Sequence, residues 1–100
     1  MKLGILVNTK RHKDHILGIV NAAVSKGHSV IIFGMDEGTK LLEDADFTAL
    51  HKLNGVSMSY CDHSAHNHNV NKEGIPAEIV GGSQLNNAYM NNDADKVIVL

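Results

Sequence analysis

Leu3-Gly4-Ile5-Leu6-Val7 is an almost unbroken apolar run. A strand with one solvated face alternates apolar and polar residues, whereas a strand covered on both faces does not. The run therefore reads as a buried strand of a parallel sheet. Working outward, Ser29-Val30-Ile31-Ile32-Phe33 and Lys96-Val97-Ile98-Val99-Leu100 repeat the pattern. Val56-Ser57-Met58-Ser59-Tyr60 alternates with period two and reads as a strand between them. Residues 77–80 read as a further short strand.

The intervening segments have helical spacing. Ile16, Ile19, Val20, Ala23 and Val24 recur on one face, and Gly27 supplies the stop signal. Residues 39–43 and 46–53 predict two short helices. A helix is expected to begin at about Cys61 and run toward Asn71. Gly81-Gly82-Ser83 is expected to open another, carrying Leu85, Ala88, Tyr89 and Met90. Five strands alternating with helices imply right-handed crossovers and an α/β fold, a mainly parallel five-stranded sheet with helices on both sides. In such sheets ligands bind beyond the carboxyl ends of the strands. That rule selects residues 8–13, 34–38, 61–68 and 81–83.

The chain has 100 residues, enough for one domain over residues 1–100. Aromatics make up 4%, so the core has to be aliphatic. The net charge of -2 gives no electrostatic reason to expect nucleic acid or an anionic membrane as partner. The apolar runs are too short to span a bilayer. The N-terminus enters a strand directly, so a cytoplasmic protein is expected. The single cysteine has no internal disulfide partner and is a filler, a ligand or a nucleophile.

That cysteine, Cys61, follows a strand and stands at the first turn of a helix. Unpaired N–H groups at a helix start favour thiolate over thiol. Asp62 opposes this, and His63 or His66, when protonated, would support it. Ser64 lies three residues on. Asp62 and His66 are four apart, within reach of one another on a helix. The string Cys61, His63, His66, His68 offers thiolate and imidazole donors for zinc or copper, without the paired spacing of structural zinc sites. A solvated polar helix face accounts for the same residues without any metal. Asn8, Lys10 and Arg11 follow the first strand and could contact an anion or ligand. Gly82 and Ser83 form either an anion-binding turn or a helix cap.

Taken in order, Leu3 to Val7, Gly27 to Phe33, Glu37 to Leu42, Asn54-Gly55-Val56 leading to Cys61, Glu73 to Pro76, Val80 to Ser83 and Ala94 to Leu100 resemble the DsrE/DsrF-like family of small sulfur-relay and sulfur-oxidation proteins. The resemblance covers nearly the whole chain. It implies a three-layer α/β/α sandwich with flavodoxin-like layering, and homo-oligomers (trimers or hexamers) or hetero-oligomers with related chains. It also implies a sulfurtransferase-like role, in which a cysteine at the position of Cys61 accepts sulfane sulfur as a persulfide from a donor protein and relays it to an acceptor. No cofactor is implied. Two other readings stand beside it: a regulatory module that binds a small ligand or a metal, and a non-catalytic subunit of a hetero-oligomer.

Overall fold

A computed structural model describes all of residues 1–100. The elements in order are β1 (Lys2–Val7), α1 (Lys13–Ser25), β2 (Ser29–Gly34), a 3-10 helix (Asp36–Glu43), α2 (Ala45–Thr48), a second 3-10 turn (Ala49–Lys52), β3 (Val56–Cys61), α3 (Asp62–Asn67), β4 (Val80–Gly82), α4 (Gln84–Asp93) and β5 (Lys96–Val99). The five strands form one sheet in the order β4-β3-β2-β1-β5. Every pairing is parallel. The α/β architecture and the parallel sheet are as the apolar runs predict.

The two faces of the sheet are filled unequally. Ile5, Val7, Val30, Ile32, Met58 and Tyr60 point to one face and pack with Ile16, Val20, Leu41, Phe47 and Ala65 from the helices above them. The alternate residues point to the other face, where Phe33 and Cys61 meet Met90 of α4. Only α4 covers that face, and Met90 is its one buried residue. No helix is long and apolar enough to cross a membrane.

The helix ends follow local chemistry. Gly27 takes φ +82 after α1, its N–H donates to the Val24 carbonyl, and the His28 N–H donates to Ala23. This is a Schellman stop in which glycine carries the left-handed residue. The same stop ends α3 earlier than the sequence predicts. Asn69 adopts φ +56, its N–H donates to His66, and the Val70 N–H donates to Ala65. The helix therefore closes at Asn67, and buried Val70 turns back into the core.

The fourth strand also differs from expectation. It spans Val80–Gly82, and not residues 77–80. The Ile79 N–H donates to the Pro76 carbonyl, so residues 76–79 form a turn. Pairing begins only where Val80 lies opposite Ser59. The glycine pair belongs in this strand because side chains crowd it: a Cβ on Gly81 would lie 2.8 Å from the Tyr60 hydroxyl, and one on Gly82 would collide with Asn86. The segment after β2 winds sooner than expected, at Asp36 instead of Thr39.

Two glycines give opposite expectations. A Cβ at Gly38 would fall inside the van der Waals envelope of the Val7 carbonyl, whereas a Cβ at Gly18 meets nothing within 4 Å. Gly38→Ala should cost about 2–3 kcal/mol through forced backbone movement. Gly18→Ala, in the exposed interior of α1, should gain roughly 0.5–1 kcal/mol. Urea unfolding midpoints of the two variants check both signs.

Candidate functional site

The topology fixes where a site can form. After β1, β2 and β3 the chain leaves toward the α1 face, and after β4 it leaves toward the α4 face, as right-handed crossovers require when the strand order reverses. β3 and β4 are neighbours whose exits diverge to opposite faces. Their carboxyl ends bound the crevice of a topological switch point. The residue pair at that end is Cys61 opposite Gly82.

Cys61 is the last residue of β3 and the N-cap position of α3, with extended backbone at φ -79, ψ 113. It alternates with inward-facing Tyr60, so its side chain enters the α4 face beside Phe33 and Met90, with Met35 and Leu6 packed around them. It is the only thiol of the chain and is 5% exposed. Burial alone would push the Cys61 thiol up. The nearby Ser64 hydroxyl and N–H, the Gln84 side-chain amide and the His63 N–H favour the charged form and outweigh burial, so the thiol is held below its ordinary value. No strict capping hydrogen bond is closed by the sulfur itself. These donors therefore act on charge that develops there more than they fix the neutral thiol.

Three of these groups, on His63 and Ser64, come from the first turn of α3, and the fourth comes from the start of α4. Gln84 is the first residue of α4, two residues past the Gly82 that pairs with Cys61. Its Nε2 also donates to the Met35 thioether at 3.8 Å. Gln84 and Met35 together bridge the rim of the crevice above the buried sulfur. Sequence reasoning had overlooked Gln84. The register Cys61–Gly82 is the signal that points to it, and placing the fourth strand too early concealed that register.

The other predicted residues fall elsewhere. Ser83 is the N-cap of α4: its Oγ accepts from the Leu85 N–H, and Asn86 Oδ1 accepts from the Ser83 N–H. This reciprocal cap already uses the hydroxyl, and Gly82 is packed against Asn86. Asp62 pairs with Lys72 instead of His66. His63 Nε2 contacts the Asn67 amide at 3.2 Å, and His63 and His66 are exposed. Asn8, Lys10 and Arg11 lie beyond β1, two strands from β3, roughly 10 Å away at the usual strand spacing. The Lys10 N–H donates to Glu37, and Lys13 pairs with Asp44 at 2.8 Å.

The string Cys61, His63, His66, His68 does not assemble as a metal centre: no group of three or more His, Cys, Asp or Glu side chains is gathered anywhere in the chain. The reason is geometric. Cys61 turns into the α4 face, while His63 and His66 ride on α3, with His68 at its end, and α3 packs against the 3-10 helix on the opposite face.

An α/β sandwich built on a parallel five-stranded sheet is the class this fold defines. Within that class, the family model described as the DsrE/DsrF-like family matches residues 1–100. The chain belongs to this family. Its fold is that of the ychN protein from E. coli, whose crystal structure superposes with a TM-score of 0.70 at 10% sequence identity, covering 99% of this chain and 97% of that one. Comparison with the curated proteins finds no match by sequence.

The donor set predicts a pH dependence. Thiolate formation at Cys61 should show a midpoint below the free-thiol value of roughly 8.5. Ser64→Ala and Gln84→Leu each remove a group that favours the charged form, so each should move the midpoint upward. The pH profile of alkylation of the folded protein reads the shift directly.

Proposed function

We propose that the protein is a sulfur carrier in which Cys61 accepts sulfane sulfur as a persulfide and passes it to an acceptor. The observation that carries this reading is the placement of the only thiol at the β3–β4 switch point, among donors that hold it toward thiolate. Membership of the DsrE/DsrF-like family supports a sulfur-relay role in general terms. A persulfide relay needs a sulfur that is nucleophilic when it accepts and is itself attacked when it delivers. The Ser64 and Gln84 donors serve the first step. Delivery requires the Gln84–Met35 contact to part, a local event that leaves the sheet in place. His63 and His66, exposed beside Asp62 on the outer turn of α3, are positioned to meet a partner more than to touch the sulfur.

The reading includes donor and acceptor proteins as partners, a cytoplasmic setting, and self-association into trimers or hexamers or assembly with related chains. Leu85 on α4 and Val99 on the unpaired edge of β5, each 57% exposed, give such assembly apolar surface to use. Light scattering of the purified protein tests this part of the proposal: a trimer or hexamer mass supports it, and a monomer at working concentration contradicts it.

Intact mass measurement after incubation with a persulfide donor tests the carrier role. Wild type should gain one sulfur atom that reductant removes, and Cys61→Ser should gain none while keeping its fold. Sulfur loading that survives in the Ser variant would overturn the assignment to Cys61.

A further inference from the structure

A groove of about 450 Å³ runs along the α4 face beside β3. That volume lies in the range of small-molecule sites, roughly 300–1,000 Å³. Ser57 and Ser59 line it from the strand, and Asn86, Tyr89, Met90 and Asn92 line it from α4. Side chains on one face of a strand recur every second residue. Ser57, Ser59 and Cys61 therefore follow one another along this face, and the groove ends one repeat, roughly 6.6 Å, short of the thiol. Met90 is at once a wall of the groove and a member of the apolar cluster around Cys61. Its unbranched thioether has the rotamer freedom to swing aside, which β-branched residues lack.

The lining also has a charge character. Asp93 is its only ionised side chain, and Lys2 pairs with that carboxylate at 3.1 Å. No cation lines the groove. With Lys2 spent on Asp93, a small inorganic anion finds no free counter-charge there. A molecule with amino, amide or hydroxyl groups finds two serine hydroxyls and two asparagine amides, while the one carboxylate is already paired with Lys2. Asn86 commits Oδ1 to the helix cap and retains its Nδ2 donors.

We propose that this groove admits the sulfur donor of Cys61, and that the donor is a low-molecular-weight aminothiol hydropersulfide in preference to an inorganic polysulfide. This rests on the carrier reading of Cys61. The step balances without a further reagent. The Cys61 thiolate attacks the outer sulfur of R–S–S–H, the donor S–S bond breaks as the new one forms, and R–S⁻ leaves and takes up a proton from solvent. Sulfane sulfur changes carrier without net oxidation or reduction.

The test compares loading rates from cysteamine hydropersulfide, an aminothiol with no carboxylate, and from inorganic polysulfide, read by intact mass, in wild type, Ser59→Leu and Tyr89→Ala. Ser59→Leu fills the groove next to the thiol. Tyr89 is 64% exposed, so Tyr89→Ala alters the wall without threatening the fold. Ser59→Leu should slow loading from cysteamine hydropersulfide roughly tenfold or more, and Tyr89→Ala by about threefold, the worth of a lost contact or two at the transition state. Loading from polysulfide should stay within about twofold of wild type in both variants. Slowing that is equal for the two reagents, or absent for both, would overturn the groove as donor site while leaving Cys61 as carrier. Failure of wild type to load from either reagent would overturn the carrier reading and the groove with it.

Discussion

Parallel strands have to be joined by crossovers, and crossovers of one hand send successive connections to the same face while the chain moves in one direction across a sheet. This chain moves from β1 through β2 and β3 to β4, then jumps back past β1 to lay down β5. The reversal forces α4 onto the face that the other helices leave empty. The strand before the reversal and its neighbour must then part at their carboxyl ends. Cys61 and Gly82 occupy that parting. The donors around the thiol, the bridge from Gln84 to Met35 and the groove beside β3 all follow from where the reversal falls.

The same reversal leaves the two faces unequal. One receives α1, both 3-10 segments, α2 and α3, and holds most of the buried side chains. The other rests on one ten-residue helix with one buried anchor. Close approach compensates in part. Gly4 has no side chain where Met90, Ala94 and Val97 converge, each 3.1 Å from the position a Cβ would take. That absence lets α4 sit down on β1. The groove lies toward the β4 edge, between α4 and Ser57, Ser59 and Val80.

The fold was legible because buried parallel strands are written as unbroken apolar runs, and β1, β2 and β5 carry such runs. Gly27 announced its stop because a left-handed residue there suits glycine best. Asn69 does the same task with less signal, since asparagine has other uses, so α3 read as longer than it is. β4 was misplaced for a physical reason: it has three residues, two of them glycine, and no hydrophobic period to detect. Its pairing is set by long-range register with β3 and by the Tyr60 ring against Gly81. Cys61 was legible as a strand-end thiol. Its burial was not, because Phe33 of β2, Met35 just beyond that strand and Met90 of α4 come to it from distant parts of the chain. The histidine string reads as one unit with the thiol in sequence but not in space, because alternation along β3 turns Cys61 into the α4 face while α3 packs on the opposite face.

α4 carries five asparagines and aspartates among its ten residues, Asn86, Asn87, Asn91, Asn92 and Asp93, and buries only Met90. Stability is not uniform within a domain, and an element with few apolar contacts opens on its own at a small fraction of the global free energy. Amide hydrogens of α4 will accordingly exchange with solvent far sooner than those of β1 and β2, which sit in the interior of the sheet with ladder partners on both sides. The thiol is roofed by this thinly anchored helix. Exposure of the sulfur is thereby tied to the order of α4, because Met90, which packs on Cys61, and Gln84, which reaches Met35, both belong to that helix.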